Sequence, residues 1–246
     1  MAPLFHLTND LLLAAETAKM RREALSRIRS AARRYMQSEK TLAARAVRCA
    51  LPLIPAGAAI LTHSASSLVE AVLLRAARPK RGKQARSGIR AICTESRPAG
   101  EGRQLALRLA AAGIRTTLII DAAAGEVLDA ADLLLVGADT VTPKGLIHKM
   151  GTRMLASLAR KRKVPCFAVA TSRKLLPDRF LLDTWNSTRA AKEVTRVSHK
   201  NLTVLNRPFD LTPWKWLTGV VTEDGLLSRD DVSHRLKKMP LAKGWA

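Results

Sequence analysis

Residues 58–75 read Ala58-Ala59-Ile60-Leu61-Thr62-His63-Ser64-Ala65-Ser66-Ser67-Leu68-Val69-Glu70-Ala71-Val72-Leu73-Leu74-Arg75. An apolar run of strand length passes through a short polar cluster into apolar positions at helical spacing. The same change of period recurs down the chain. A strand is predicted over 89–94 and a helix over 101–112, then a strand over 115–120 and a helix over 122–130. A strand over 132–136 leads across a loop into a helix predicted over 145–161, and a strand over 165–170 closes the series. Strands joined by helical crossovers predict an α/β fold with a parallel sheet covered on both faces.

Five of these apolar runs stop at small, polar or charged clusters: Thr62-His63-Ser64, Thr94-Glu95-Ser96-Arg97, Asp121, Gly137-Ala138-Asp139 and Thr171-Ser172-Arg173-Lys174. In an open parallel sheet ligands sit in the crevice outside the carboxyl ends of the strands. The five endings therefore predict one polar site, with a small phosphorylated molecule as the expected ligand.

Outward from this core, residues 7–48 carry apolar positions at helical spacing among arginines, an amphipathic segment in which Thr8-Asn9-Asp10 offers an N-cap and 38–41 marks an expected break. Pro52, Pro55 and Gly57 then separate a helical region, 1–56, from a Rossmann-like α/β domain, 57–246. Beyond Lys174 the pattern loosens. A closing strand is expected over 202–205, an extended or turning segment over 206–213 and a short helix over 230–238.

The chain has 246 residues, 47% hydrophobic and 25% charged, the composition of an ordered globular protein. Its longest apolar stretches fall short of the roughly 20 residues a membrane-crossing helix needs, and the N-terminus lacks a secretory pattern, so a cytoplasmic protein without membrane attachment is expected. Cys49, Cys93 and Cys166 are odd in number and far apart, which suits small hydrophobes better than a disulfide framework or a zinc site. The net charge of +22 avoids residues 101–150 and gathers at Lys19 to Arg34, Arg78 to Lys83 and Arg160 to Lys163. Such clusters attract RNA or an acidic partner, or are simply solvated faces. Aromatics are only 4% and all four Trp follow residue 184, leaving no base-stacking platform in the basic regions.

Several candidate residues have two readings. Ser64, Ser66 and Ser67 either cradle an anion with free backbone N–H groups or cap the following helix. Arg97 and Arg103 either grip phosphate or pair with Glu95 and Glu101 as a structural network. Asp121 and Asp139 either act as acid or base or cap the next helix; Gly137-Ala138 before Asp139 lets a ligand approach closely. Lys149, with Gly151 and Thr152, is expected early in a helix, and Lys149 and Lys174 can reach one phosphate. His63 and His148 have no second metal-type ligand at helical spacing, so an orienting or structural role is expected, with neither metal nor cofactor.

Ile60-Leu61-Thr62-His63-Ser64, Thr94-Glu95-Ser96-Arg97-Pro98, Glu101-Gly102-Arg103, Val136-Gly137-Ala138-Asp139, Lys149-Met150-Gly151-Thr152 and residues 217–225, in that order, are specific. With them the chain resembles the family uniting the alpha, beta and delta subunits of initiation factor 2B with methylthioribose-1-phosphate and ribose-1,5-bisphosphate isomerases. The resemblance implies a helical N-terminal part before a Rossmann-like domain of the sugar-phosphate isomerase and CoA-transferase kind, dimerised through that domain. It implies a ligand site of Thr62, His63, Ser66, Arg97, Arg103, Lys149 and Lys174, and a catalytic pair at Ser64 and Asp139. The isomerases carry cysteine where this chain has Ser64, and a hydroxyl is a far weaker acid than a thiol. Thr140-Val141 and His148 also depart from the isomerase pattern, and the arginine-glycine substrate loop is missing. The expectation is a regulatory or noncatalytic protein binding a phosphorylated sugar or nucleotide. The alternatives are an aldose-ketose isomerase acting on a ribose 1-phosphate derivative, and a translation-associated scaffold binding RNA or a partner.

Overall fold

The computed structural model describes residues 2–18, 20–78 and 88–245, and leaves the side chains of residues 183 and 184 undescribed. Two helices lead the chain, α1 (Ala2–Glu16) and α2 (Arg21–Ala50). The expected break at 38–41 is absent, because α2 runs unbroken through it and the chain bends instead between Glu16 and Arg21. Nor does Thr8-Asn9-Asp10 cap a helix. α1 already begins at Ala2, and Asn9 is buried with its amide bonded to Pro240 and Ala242 backbone groups.

The α/β part follows as β1 (Ala59–Thr62), α3 (Ser67–Ala76), β2 (Arg90–Thr94), α4 (Glu101–Ala111), β3 (Arg115–Ile119), a broken turn of helix around α5 (Ala124–Val127), and β4 (Leu133–Val136). The predicted helix over 145–161 is wrong in its first third. Residues 140–149 form a hairpin of β5 (Thr140–Thr142) and β6 (Gly145–Lys149), and α6 (Thr152–Lys161) starts only after it. Leu146 and Ile147 are apolar at both periods, so a short run there cannot by itself separate strand from helix. β7 (Cys166–Val169) follows as expected.

The expected strand over 202–205 does not form. The strand lies just beyond, as β8 (Phe209–Pro213), and β9 (Gly219–Thr222), β10 (Gly225–Leu227) and α7 (Arg229–Lys237) complete the chain. Pro213 ends β8 at a position paired with Gly145, consistent with an edge strand needing no further N–H there.

The main sheet has the order β10-β9-β7-β4-β1-β2-β3, parallel throughout except for the antiparallel β10. Alternating side chains divide the core. Ile60, Leu133, Leu135 and Val221 face one layer with Val69, Leu73, Leu105 and Leu109, while Leu61, Leu134, Val136 and Val220 face the other with Leu155 and Ala156. A second, antiparallel sheet of order β5-β6-β8 stands beside the first. From β1 the chain builds outward through β2 and β3, then reverses to the other side of β1 with β4, β7 and β9. The reversal point lies between β1 and β4, and the carboxyl ends of these two strands are where an open α/β sheet places its ligand.

Candidate site at the strand reversal

The two endings that flank the reversal are pressed together. A Cβ on Gly137 would lie 2.5 Å from Ser66 Cβ and 3.1 Å from His148 Nε2, so only glycine lets the β4 and β1 turns approach this closely. Ser66 caps α3, accepting from the Val69 N–H at 3.4 Å, which realises the capping alternative for that serine.

His63, buried at the end of β1, is fixed through both ring nitrogens. The Met150 carbonyl, 2.8 Å from Nε2, can only accept, so Nε2 carries the proton and Nδ1 accepts from the Thr94 hydroxyl at 2.6 Å. Burial is the main cause holding its pKa below the ordinary imidazole value, and this keeps it neutral. Ser96 extends the chain, its hydroxyl lying 3.1 Å from Thr94 Oγ1 and accepting the Ser64 N–H at 2.7 Å. Ser64 and Ser96 both adopt left-handed backbone, φ 68° and 63°, and this bond joins the two turns. Asp121 takes the N–H groups of Ser96 and Arg97, each at 2.7 Å, so it holds the β2 turn rather than capping the helix after it.

Glu101, at the start of α4, joins Ser64 to Lys149. Its Oε1 accepts from Ser64 Oγ at 3.2 Å and lies 2.5 Å from Lys149 Nζ, while its Oε2 is buried without a partner among the described residues. Lys149 closes β6 instead of opening a helix, and it is nearly buried. Glu95, not Glu101, pairs with Arg103, whose side chain is 53% exposed. Arg97 donates to the Val194 carbonyl at 3.0 Å. The pairing alternative therefore describes Arg103, and among the described contacts neither arginine bonds to Ser64, Glu101 or Lys149.

On the other side, Asp139 follows β4 with its carboxyl pKa pushed up by desolvation, opposed by Lys174 and Lys149 and reinforced by Glu101. Among the described residues Lys174 makes no ion pair with a carboxylate. His148, wholly buried, donates from Nδ1 to Thr152 Oγ1 at 3.0 Å, because that hydroxyl spends its own proton on the Lys149 carbonyl at 2.7 Å. Burial, with His63, Lys174 and Lys149 nearby, pushes the His148 pKa down to about 3. Two neutral imidazoles, a carboxyl with raised pKa, an ammonium clasped by Glu101 and a second, at Lys174, without an ion pair among the described residues thus meet at the strand reversal. Cys93 and Cys166 stay out of the chemistry, their buried thiols pushed up to about 12.

Three supports escaped sequence reasoning. Asp210 on β8 accepts from the Gly151 N–H at 2.7 Å and the Arg153 N–H at 3.1 Å, capping α6 from another strand; burial raises its pKa. The only local sign was a helix opening on Gly151, which has no side chain to cap it. Glu223 holds the β7 turn through the Ser172 N–H at 2.9 Å and the Ser172 hydroxyl. Arg173 anchors the same turn to α2, bonding the Tyr35 carbonyl at 2.7 Å, Glu39 at 2.8 Å and Ser38 at 2.6 Å, with its guanidinium 3.4 Å from the Tyr35 ring centre. The N-terminal helices therefore brace the segment that presents Lys174.

Residues 4–229 match the family model described as the initiation factor 2 subunit family. A putative translation initiation factor eIF-2B subunit 2-like protein of Pyrococcus furiosus is 34% identical over 232 residues, covering 92% of this chain and 73% of that protein. A ribose 1,5-bisphosphate isomerase of Methanocaldococcus jannaschii is 33% identical over 186 residues, covering 74% of this chain but only 58% of the isomerase. The crystal structure of a Pyrococcus horikoshii OT3 translation initiation factor eIF-2B superposes with a TM-score of 0.75 at 28% identity, over 92% of this chain and 76% of that one.

Proposed function

The chain belongs to the initiation factor 2 subunit family, and from that premise we propose that it binds a phosphorylated sugar or nucleotide and acts as a regulatory rather than a catalytic protein. The observation that carries this reading is the proximity of Lys174, which makes no ion pair among the described residues, to the desolvated Asp139 carboxyl beside the reversal of strand order. Lys174 attracts the phosphate, and Lys149 joins it when the ligand displaces Glu101 from its ammonium. Asp139 and Ser64 contact ligand hydroxyls, with Thr62, His63 and Ser66 shaping the β1 side. Arg97 and Arg103 stand at the turn of β2, where each can exchange its present partner for phosphate. The absence of a thiol at residue 64 favours binding over catalysis.

Calorimetric titration of the folded protein with pentose phosphates and nucleotides tests the reading. Binding that weakens roughly tenfold or more in Lys174→Met, the loss expected when a charge-assisted contact disappears, supports it. A folded sample that binds none of them rejects it.

A second reading, an aldose-ketose isomerase for a ribose 1-phosphate derivative, is favoured by one contact. The Ser64 hydroxyl is directed at the Glu101 carboxylate, an acceptor the sequence did not reveal, and Asp139 has the raised pKa useful to an acid. Proton NMR of candidate sugar phosphates decides it: product formation abolished in Asp139→Asn supports catalysis, and no product with any of them dismisses it. Association of two chains through the α/β part, a division at residues 56 and 57 and a cytoplasmic location belong to the same proposal. Among the described residues no helix is long and apolar enough to cross a membrane.

A further inference from the structure

The helix α2 carries nine bases and two acids, and their arrangement separates two faces. Ala31, Tyr35, Ala46 and Ala50 are buried against the rest of the protein. At 3.6 residues per turn, Arg22, Ser26, Arg29, Arg33, Gln37 and Lys40 fall in one stripe on the opposite side. All six are exposed, and the stripe contains no acid. Among the described residues none of its four cations pairs with a carboxylate; the acids of the helix are engaged elsewhere, Glu23 with Arg27 and Glu39 with Arg173. A shallow cleft of about 380 Å³ between Arg22, Leu25, Ser26, Arg29, Ser30 and Arg33 gives the stripe relief.

An ordinary solvated helix face intersperses acids three or four residues from bases, because each such pair stabilises the helix and like charges at that spacing destabilise it. Here Arg29 and Arg33 are like charges four apart, and among the described residues no carboxylate pairs with either. The eighteen steps of helix from Arg22 to Lys40 measure about 27 Å, and the charges of the stripe stand about 6 to 10 Å apart. That spacing is comparable with or shorter than the screening length at physiological salt, so the repulsion is felt until a polyanion relieves it.

From this geometry we infer that the stripe from Arg22 to Lys40 is a docking surface for the phosphodiester backbone of RNA. The ligand is identified by charge and shape. A straight row of three guanidinium groups and an ammonium, with a hydroxyl and an amide between them, suits a repeating row of phosphate oxygens. No Trp or Phe lies on α2, and its one aromatic, Tyr35, is buried under Arg173, so bases have nothing to stack on and binding is independent of base identity. The surface is separate from the crevice at the strand ends and does not depend on its ligand.

The test is fluorescence anisotropy with the whole chain and a labelled 20-nucleotide oligouridine, titrated between 50 and 200 mM salt. Four phosphate contacts give a logarithmic slope of about −3, or a loss of affinity of roughly fiftyfold across that range. The triple substitution Arg22→Gln, Arg29→Gln and Arg33→Gln keeps good helix formers, and is expected to lower the slope by about 2 and the affinity at 50 mM by roughly tenfold or more. Circular dichroism checks that the variant is folded. Oligoadenosine is expected to bind within a fewfold of oligouridine. Absence of binding at 50 mM, an unchanged slope in the folded triple variant, or a tenfold preference between the two oligomers each overturns the inference. Equal competition by polyglutamate at matched charge also overturns it, in favour of an acidic protein.

Discussion

His148 offers a measurement of how the buried part of the site is maintained. Its imidazole is fully enclosed, and its pKa falls from the ordinary 6.5 to about 3. A base whose folded-state pKa is depressed favours folding while both states are neutral, and loses that advantage as protons bind the unfolded chain. The contribution is therefore present above pH 6.5 and drains away as pH falls from there toward 3. At pH 5 the unfolded histidine is mostly protonated and the native one is not, which costs about 2 kcal/mol of stability from this residue alone. For a chain of this size that corresponds to a fall in Tm of about 4 to 8 °C between pH 7.5 and 5. His63, depressed for the same reason, adds in the same direction. Asp139 and Asp210, with raised carboxyl pKa, act oppositely in acid, so the parent's total slope mixes signs. The difference between parent and His148→Asn isolates the histidine. The asparagine amide can still donate to Thr152 but takes up no proton. Calorimetric melting of both proteins at pH 7.5 and 5 should show the variant losing about 2 kcal/mol less than the parent. Equal losses in the two proteins would refute the argument that burial keeps His148 neutral.

Asp139→Asn removes a carboxylate that burial disfavours, so it should raise Tm at pH 7.5, with the gain shrinking as pH falls toward the ordinary carboxylate range; a gain independent of pH would contradict this. Gly137→Ala must push its new methyl into Ser66, 2.5 Å away, and is expected to cost about 1 to 3 kcal/mol in urea denaturation, whereas Gly88→Ala meets nothing within 4 Å among the described residues and should be nearly silent. Arg173→Met leaves Glu39 and the Tyr35 carbonyl without their cation, and should destabilise by roughly 2 to 3 kcal/mol while increasing hydrogen exchange in both α2 and the 172–174 turn; exchange confined to one of them would mean the two are not joined through this residue.

The alternation of periods from residue 58 to 170 was enough to place five of the six parallel strands, because runs such as Ile60-Leu61 and Leu133 to Val136 are apolar on both faces and only a doubly covered sheet buries both; the sixth, β9, lies beyond that alternation and was not expected. It also marked the five turns at the carboxyl ends. Local pattern failed where the same residues satisfy two periods, as at Leu146-Ile147, and where pairing selects the strand, as with Phe209–Pro213 over 202–205. The break expected in α2 failed for a related reason: Ser38 and Glu39, which look like helix-ending residues, bond to Arg173, 135 and 134 positions away.

What the sequence determined by itself is the inventory: a βα alternation, polar residues at strand ends, two lysines, an aspartate and a serine where a thiol is otherwise expected, and an uneven surplus of positive charge. Tertiary structure decided who meets whom. Glu101 chose Lys149 and Ser64 over the adjacent arginine, Asp121 turned back to the β2 loop, and Asp210 reached across from a distant strand to cap α6. Charge and hydrogen-bond partners are settled by distances of a few ångströms, and those distances follow from the order of strands in the sheet, which local periodicity does not encode.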